Sequence, residues 1–293
     1  MSQPPDPTSA RTLRLLVPPR FHLESVVRAH GWWNLPPFRW DEDAGVIATA
    51  AELNGHPTDL VISQPSTDEI AVEWTGHAPE PAIAEVATRI LMLDIDFTEF
   101  QRRCQTRKRL RHVDDEDLGR MLRSPTLWED VVKVLCTTNV NWGGTRGMSE
   151  RLVKSFGART PRGHRCFPTP ERLAKRRPTT LAKKARLGYR CTTLSEIARA
   201  IVTGDLNLAS WEDPNVSTSE LEDRIMQITG LGPYAAASIL ALVERYDFLP
   251  VDSAFMSHVT ATHFKGERPT RARAERIYRS WGRWKYLAYW FER

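Results

Sequence analysis

The 293-residue chain predicts an α+β fold, in which an N-terminal antiparallel β-sheet with one helix precedes a mainly α-helical body. Two observations predict it. Short runs rich in β-branched residues, separated by turn residues, occupy roughly the first 75 positions. Beyond them, apolar residues recur at helical spacing almost to the last residue. A sheet segment followed by a helical segment, without an internal repeat, is typical of an α+β architecture.

The N-terminal part divides into a leader and a sheet domain. Residues 1–10 are rich in Pro and Ser and are expected to be disordered, and residues 11–90 are expected to form the sheet domain. Asn54-Gly55 is a turn signal, and a short helix is expected near Leu23 to Ala29. Four segments predict strands: Leu13–Val17, Gly45–Ala48, Leu60–Ile62 and Glu69–Trp74.

The remaining residues, 91–293, are expected to form one helical domain. Ser124 and Pro125 can start a helix, and Gly157 can end the next one. Three helical faces are marked by apolar residues three or four apart: Leu127, Val131 and Leu135; Met148, Leu152 and Phe156; and Leu194, Ile197 and Ile201.

The most informative segment is a predicted pair of helices with a tight turn, at about 217–246. Ser217 and Glu220 form a capping box at the start of the first helix. Gly230 and Gly232 allow a sharp turn with bare backbone, and Pro233 suits the first position of the second helix. Backbone N–H groups at such a helix start can bind a phosphate without reading sequence. The turn is therefore compatible with contact to a nucleic-acid backbone, but glycine-containing helical turns are common and the turn alone does not establish it.

A single carboxylate, Asp252, lies 20 residues after Gly232, in the run Leu-Pro-Val-Asp-Ser-Ala. It can act chemically beside a bound polyanion, or it can cap the helix that begins near Ser253. The two roles are compatible, and the spacing alone does not choose between them.

The net charge of +5 conceals an uneven distribution. Between Asp41 and Phe100 there are 13 acidic residues and one basic residue, Arg89. That segment carries −12, so the rest of the chain carries +17. A basic run from Arg172 to Arg190, which includes Lys183 and Lys184, can follow phosphates or form a solvated face. One part of the molecule is therefore expected to face a polyanion.

Cysteine spacing and hydropathy indicate the compartment. The four cysteines are far apart in the chain, which argues against a zinc ribbon and against a disulfide framework. No apolar stretch reaches the roughly 20 residues that a membrane-spanning helix needs. We expect a cytoplasmic protein without membrane contact. The cysteines are Cys104, Cys136, Cys166 and Cys191.

These motifs together resemble the helix–hairpin–helix (HhH-GPD) DNA glycosylase superfamily. The run Gly-Leu-Gly-Pro-Tyr-Ala-Ala at 230–236 is similar to that of bacterial 3-methyladenine glycosylase II enzymes. Cys136-Thr-Thr-Asn-Val-Asn-Trp142 and Leu187-Gly-Tyr-Arg190 resemble segments of 8-oxoguanine glycosylases. The resemblance covers roughly residues 90–290 well and the sheet weakly.

The resemblance implies a role for each matching residue. Asp252 would act on the sugar of an extruded nucleotide, and Asn139 would help to fill the hole that the base leaves. Tyr189 would wedge into the stack, and Arg190 would read the orphaned partner base. Without the resemblance, Tyr189 would be read as a half-buried packing residue. Further DNA contacts are expected from Asn141, Gly230, Gly232, Tyr234, Lys183 and Lys184.

Two positions depart from the family. Strand-cutting relatives carry a lysine two residues after the second glycine of the hairpin, where this chain has Tyr234. The resemblance therefore implies a monofunctional enzyme, because an imine with the sugar needs an amine. A family arginine is replaced by Gly144, which leaves specificity for an opposite cytosine open.

A flipped base is held by stacking, so the base pocket should be aromatic. Trp142, Trp281, Trp284 and Tyr289 are candidates, although the last three have helical spacing and can equally belong to the core. His258 and His263 are five apart, which does not by itself indicate a metal pair. No cofactor is expected to be required, and the four-cysteine iron–sulfur loop is excluded. The resemblance allows one K⁺ or Na⁺ on the backbone carbonyls of Met226, Ile228 and Leu231.

The expected function is that of a monofunctional base-excision-repair glycosylase. It would flip a damaged base, of the alkylated 3-methyladenine type, from double-stranded DNA and hydrolyse its N-glycosidic bond, acting as a monomer. Three alternatives stay open: a glycosylase for oxidised purines of the 8-oxoguanine type, a bifunctional glycosylase/lyase, and a non-catalytic helix–hairpin–helix DNA-binding protein.

Overall fold

A computed structural model of the chain describes residues 6–293. Residues 1–5 of the predicted leader lie outside the described part. Residues 6–10 form a turn, in which the Asp6 carboxylate accepts a hydrogen bond from the Thr8 N–H at 2.9 Å. The Gly76 N–H donates to the Pro7 carbonyl at 2.9 Å, which ties this turn to the end of the sheet.

The predicted antiparallel sheet has five strands: β1 (Arg11–Leu16), β2 (Arg39–Asp41), β3 (Val46–Leu53), β4 (His56–Ser63) and β5 (Glu69–Thr75). Across the sheet they lie in the order β1-β5-β4-β3-β2. The structure adds the short β2, which the sequence did not predict, and β3 and β4 form the hairpin expected at Asn54-Gly55, where both φ angles are positive. The predicted helix near Leu23 is α1 (Leu23–Arg28).

Alternate residues of the strands face a core that a helix completes. Ile70, Val72 and Trp74 of β5 are buried, as period-two patterning requires. Helix α2 (Glu80–Leu91) buries Ile83, Val86 and Ile90 on one face and packs on β1 and β5.

Five helices in residues 127–203 accompany this sheet. The predicted start at Ser124 lies slightly too early, because the N-cap is Thr126, whose hydroxyl accepts from the Glu129 N–H at 3.2 Å. Ser124 is buried instead, where its hydroxyl accepts a hydrogen bond from the Lys133 ammonium. The helices are α5 (Leu127–Thr137), α6 (Trp142–Phe156), α7 (Pro170–Ala174), α8 (Pro178–Ala185) and α9 (Arg190–Thr203).

Seven further helices pack around a cluster of aromatic side chains. Phe100 contacts the rings of Trp281 and Trp284, and Phe255 contacts those of Tyr278 and Tyr289. These helices are α3 (Thr98–Gln105), α4 (Arg111–Asp115), α10 (Thr218–Met226), α11 (Pro233–Leu242), α12 (Ser253–His263), α13 (Arg271–Arg276) and α14 (Lys285–Glu292).

The chain divides into two compact units. Unit 1 comprises residues 1–97 and 120–206, and unit 2 comprises 98–119 and 207–293. The predicted boundary between the sheet domain and the helical domain, at about residue 90, therefore does not coincide with a boundary of the compact units. Among the described residues, no helix combines the length and apolar character that crossing a bilayer requires.

Candidate functional site

The hairpin of unit 2 has the capped and open geometry that its sequence predicts. The Ser217 hydroxyl accepts from the Glu220 N–H at 3.2 Å, which starts α10. Gly230 has a φ of 92°, a conformation that favours glycine. Gly232 is the N-cap of α11 with extended backbone, and a Cβ placed on it would meet no atom within 4 Å. The start of α11 therefore has backbone N–H groups without an intrahelical partner, next to open space where a side chain at 232 would begin.

Tyr234 stands in the first turn of α11, where strand-cutting relatives have lysine. Its side chain is 46% exposed, which is unusual for a large aromatic residue. The other exposed apolar side chain of this hairpin is Met226, at the end of α10. Apolar surface on both sides of the turn is suited to contact a macromolecule.

Asp252 caps α12 and also lines a pocket. Its Oδ1 accepts from the Phe255 N–H at 2.8 Å, and its own N–H donates to the Pro250 carbonyl at 2.8 Å. Both sequence readings of this residue are therefore compatible with the structure, since capping occupies one carboxylate oxygen and a carboxylate can accept about four hydrogen bonds. The cap fixes the carboxylate relative to the helix axis.

The pocket beside Asp252 is open and has a volume of about 710 Å³. Pro233 and Tyr234 bring the start of α11 to its wall, so the hairpin and the carboxylate border one cavity within unit 2. Three carboxylates, three cations and three apolar side chains also line it: Asp247, Asp252, Glu275, Arg271, Arg279, Lys285, Phe248, Leu249 and Val251. Such a mixed wall suits a polar substrate with both charge signs.

Arg271, Glu275, Arg279 and Lys285 are among the wall residues that were not predicted from the sequence. Arg271, Glu275 and Arg279 are four apart, a spacing that places side chains on one face of a helix and could have revealed them as a group. Lys285 begins α14, and its ammonium donates to the Asp247 carbonyl at 3.2 Å. No local signal marks Lys285, because only the fold brings it to the pocket.

The prediction that Trp281, Trp284 and Tyr289 line the base pocket needs correction. All three are buried, with Trp284 only 1% exposed, and they contact protein rings rather than the pocket beside Asp252. Burial of large aromatic rings stabilises the core of unit 2, and this is the packing role that helical spacing had left open.

A second group of predicted residues meets on the surface of unit 1. Asn139 follows α5 in the left-handed conformation, with a φ of 47°, and its amide donates to the Tyr189 hydroxyl at 3.2 Å. Thr138 lies 3.3 Å from the same hydroxyl. Hydrogen bonds from Thr138 and Asn139 lower the pKa of Tyr189, although its partial burial opposes them. The Tyr189 side chain is 55% exposed. Asn139, which is predicted to fill the space of the extruded base, and Tyr189, which is predicted to insert into the base stack, therefore contact each other directly.

Arg190 and Asn141 have clear structural roles beside this pair. The buried Arg190 guanidinium donates to the carbonyl and hydroxyl of Thr138 and to the Leu187 carbonyl. To read an orphaned base, it would have to leave these contacts. Asn141 caps α6 by accepting from the Gly144 N–H at 2.8 Å.

Trp142 and Val140 are also exposed on this surface. The Trp142 ring covers the Cα of Gly31, because a Cβ there would lie 2.4 Å from the ring. Similarly, a Cβ at Gly144 would lie 2.4 Å from a methyl group of Val140. Val140 and Gly144, the latter at the position where the resemblance implies an arginine, are therefore in contact.

Lys183 and Lys184 lie exposed in the last turn of α8. Arg172, at the other end of the predicted basic run, pairs with Glu52 at 3.0 Å. Arg172 is thus partly neutralised, whereas the two lysines are accessible to a polyanion. The thiol of Cys136, in the motif before Asn139, is buried, which raises its pKa to about 12 and leaves it unreactive.

The hairpin offers carbonyl oxygens of the kind that a monovalent cation binds. Met226 is the last residue of α10, where helix carbonyls lack an intrahelical partner. The Ile228 carbonyl accepts from the Leu231 N–H at 3.0 Å and keeps a second lone pair. This donor set fits the predicted K⁺ or Na⁺ site.

Comparison with known proteins places these observations in context. No family model matches the chain. It is 23% identical to DNA-3-methyladenine glycosylase of Bacillus subtilis over 202 residues, which cover 67% of this chain and 66% of that enzyme. The matched region thus spans slightly less than two thirds of the relative's own length.

Two solved structures resemble nearly the whole fold. The 3-methyladenine glycosylase of Archaeoglobus fulgidus is 19% identical with a TM-score of 0.77, covering 96% of this chain and 97% of its own. The 8-oxoguanine glycosylase/lyase of Clostridium acetobutylicum is 16% identical with a TM-score of 0.75, covering 96% and 95%. The latter also matches as a complex with double-stranded DNA, with a TM-score of 0.72. The predicted resemblance is confirmed at the level of architecture: the chain has the same fold as these two DNA glycosylase structures.

Proposed function

We propose that this protein is a base-excision-repair DNA glycosylase that removes an alkylated base of the 3-methyladenine type. The observation that carries the proposal is the pocket of unit 2, where Asp252 and the start of the hairpin helix α11 border one cavity. A phosphate bound at that helix start would bring DNA to the mouth of a pocket that holds a fixed carboxylate.

The chemistry follows from the charge that develops as the base departs. Breaking the N-glycosidic bond builds positive charge on the deoxyribose, and a preplaced carboxylate stabilises it by several kcal/mol. Asp252 can also orient or deprotonate the attacking water. Its hydrogen bond from the Phe255 N–H holds the carboxylate in place before the substrate arrives.

Surface chemistry supports double-stranded DNA as the partner. Tyr189, Val140 and Trp142 of unit 1 and Tyr234 and Met226 of unit 2 are exposed apolar side chains, and each lies in a segment predicted to contact DNA. Exposed lysines of α8 supply sequence-independent attraction. The DNA complex of the Clostridium relative agrees with this partner. We expect a monomer that acts at the nucleoid and needs no cofactor, with one K⁺ or Na⁺ at the hairpin.

Three observations favour an alkylated over an oxidised base. A cationic alkylated base is already a good leaving group, so it needs little beyond the carboxylate of Asp252, which lines the pocket. Relatives from Bacillus and Archaeoglobus are named as 3-methyladenine glycosylases. Gly144 stands where the oxoguanine-type motif has arginine. The runner-up is an oxidised purine, which the Clostridium relative supports.

The first prediction tests Asp252. Asp252→Asn keeps the cap but removes the negative charge, so excision should fall at least about a hundredfold while lesion-DNA binding stays within about threefold. Lesion duplexes carrying 3-methyladenine analogues or 8-oxoguanine are incubated with protein and then cleaved with alkali at abasic sites. Asp205→Asn, an exposed carboxylate outside the pocket, is the matched control and should be fully active. Undiminished excision by folded Asp252→Asn would refute the catalytic role of Asp252, whereas no excision of either lesion by the unaltered protein would identify a binding protein instead.

The second prediction concerns strand cutting. Because Tyr234 replaces the lysine, we expect intact abasic strands, and borohydride should trap no protein–DNA adduct above a lesion-free control. Lys285 lines the same pocket as Asp252, so its amine is the one that could form an adduct in place of the missing lysine. A strong adduct that disappears in Lys285→Gln would show that an amine from α14 replaces the missing one, and the monofunctional proposal would then be wrong.

A further inference from the structure

Three side chains of unit 2 that take no part in the proposed excision converge between α12 and α14. His263 Nε2 lies 2.8 Å from Glu292 Oε2, and His258 Nε2 lies 3.5 Å from the same oxygen. One ligand atom from each of the three residues lies within 4.8 Å of the other two. All three side chains are largely buried, yet each keeps some exposure through which a small ion can enter.

Neighbouring groups hold this cluster in place. The buried Tyr278 hydroxyl donates to Glu292 Oε2 at 2.5 Å, and Thr262 Oγ1 lies 3.4 Å from His258 Nδ1. A Nδ1–H that donates to Thr262 leaves His258 Nε2 unprotonated and turned to the centre. Arg109 approaches the other carboxylate oxygen, Oε1, at 4.0 Å, so Oε2 remains on the histidine side.

We propose that His258, His263 and Glu292 form a binding site for one divalent transition-metal ion, with Zn²⁺ as the best fit. Zinc sites with two histidines and one carboxylate place the three ligand atoms at tetrahedral corners, which are roughly 3.3 Å apart for ligand bonds of about 2.0–2.1 Å. The measured separations of 2.8 and 3.5 Å bracket that value. A water molecule would complete the coordination, and Tyr278 and Thr262 would orient the ligands from outside.

The placement of the site gives the ion a stabilising role. His258 and His263 lie in α12, whose N-cap is Asp252, and Glu292 lies at the end of α14. An ion held by both helices would fasten the helix that carries the proposed catalytic carboxylate. This is independent of the proposed glycosylase activity, because metal binding can be measured without DNA.

The test uses the full chain after chelation, with Zn²⁺ followed by calorimetry and Co²⁺ followed by visible absorption. We expect one ion per chain, an intense Co²⁺ band that Zn²⁺ displaces, and a Tm that rises by about a few degrees in excess Zn²⁺. His263→Gln should weaken Zn²⁺ binding at least about tenfold and abolish the rise in Tm. His112→Gln, in α4 of the same unit, is the matched control and should change neither.

Two further arrangements keep the outcome clear. The titrations are repeated with Cys191→Ser, because this partly exposed thiol could bind metal adventitiously. The Co²⁺ spectrum of the unaltered protein needs no variant, so it remains decisive if His263→Gln fails to fold. Absence of stoichiometric binding, or equal binding by folded His263→Gln, would mean that the cluster is only a hydrogen-bond network, and the metal site would be refuted.

Discussion

Tyr189 combines an exposed ring with an anchored hydroxyl. Thr138 and Asn139 hold the hydroxyl, and the Arg190 guanidinium lies over the ring at 4.6 Å from its centroid. A surface aromatic residue with no partner would sample several rotamers, whereas this one is oriented before DNA is bound. Preorganisation of this kind suits a ring that enters the space left by an extruded base.

The third prediction follows from that orientation. Tyr189→Ala should bind undamaged duplex normally but excise a paired lesion at least about tenfold more slowly, with a smaller effect on the same lesion in a bulge, where extrusion costs less. Single-turnover excision on both substrates measures this. Tyr189→Phe keeps the ring and should retain most of the activity. Equal slowing of Tyr189→Ala on the two substrates would mean that the residue only packs.

At the scale of secondary-structure elements, the proposed phosphate contact of the hairpin depends on two glycines, which carry no side chain. Gly230 is required by its positive φ, but Gly232 has ordinary extended backbone and open space where a Cβ would be. A larger residue at 232 is therefore compatible with the fold and would cover only the approach to the first N–H groups of α11.

The fourth prediction uses this difference. Gly232→Val should leave Tm within about two degrees of the unaltered protein, yet weaken binding of lesion and undamaged duplexes alike by about tenfold, because a phosphate contact carries no sequence information. Thermal unfolding and equilibrium DNA binding are measured together. DNA binding by Gly232→Ala should be weaker than that of the unaltered protein but stronger than that of Gly232→Val. Loss of lesion binding alone would assign Gly232 to the base pocket instead.

Helix α5 illustrates what the sequence could not predict. Its existence and its apolar face are predicted, but Glu129, Asp130 and Lys133 are also buried. Lys133 pairs with Glu129 at 2.7 Å, and Asp130 accepts hydrogen bonds from Trp32 and from the Ser124 N–H. The partners of Asp130, which include Arg89 at 3.1 Å, are supplied only by the folded chain, whereas Glu129 and Lys133 are four residues apart in one helix. Periodicity assigns all three charged residues to solvent, so their burial was not predicted.

The candidate site shows the same division. Gly230, Gly232 and Asp252 were predictable because turn chemistry and capping depend on local sequence. Lys285 of the pocket wall and Glu292 of the metal cluster come from the C-terminal helix, and their approach depends on tertiary packing. Trp281 and Trp284 were misassigned because helical spacing does not distinguish a core aromatic residue from a pocket residue.

Considered as a whole molecule, the chain carries its excess positive charge outside the acidic segment 41–100. Several acidic side chains of that segment are engaged within unit 1: Glu52 pairs with Arg172, and Glu73 pairs with Arg162. The exposed Lys183 and Lys184 have no such pairing among the described ion pairs. Long-range attraction to a polyanion should therefore depend strongly on a few lysines.

The fifth prediction is a salt dependence. Lys183→Ala with Lys184→Ala should reduce the slope of log K against log salt concentration by up to about two counterions, equally for lesion and undamaged duplexes. Duplex binding at several salt concentrations measures the slope. Lys108→Ala with Lys154→Ala removes the same charge from other exposed positions and should leave it nearly unchanged. Similar slopes for both double variants would mean that net charge, rather than the end of α8, governs binding.

The hydrogen bond by which Asp252 caps the N-terminus of α12 has an entropic consequence. A carboxylate that must become ordered during a reaction loses rotamer freedom at that moment, and the loss adds to the activation barrier. In this protein the Phe255 N–H holds the side chain from the time α12 forms. The ordering of the acid is completed during folding, so each turnover of the proposed reaction would begin with it already in position.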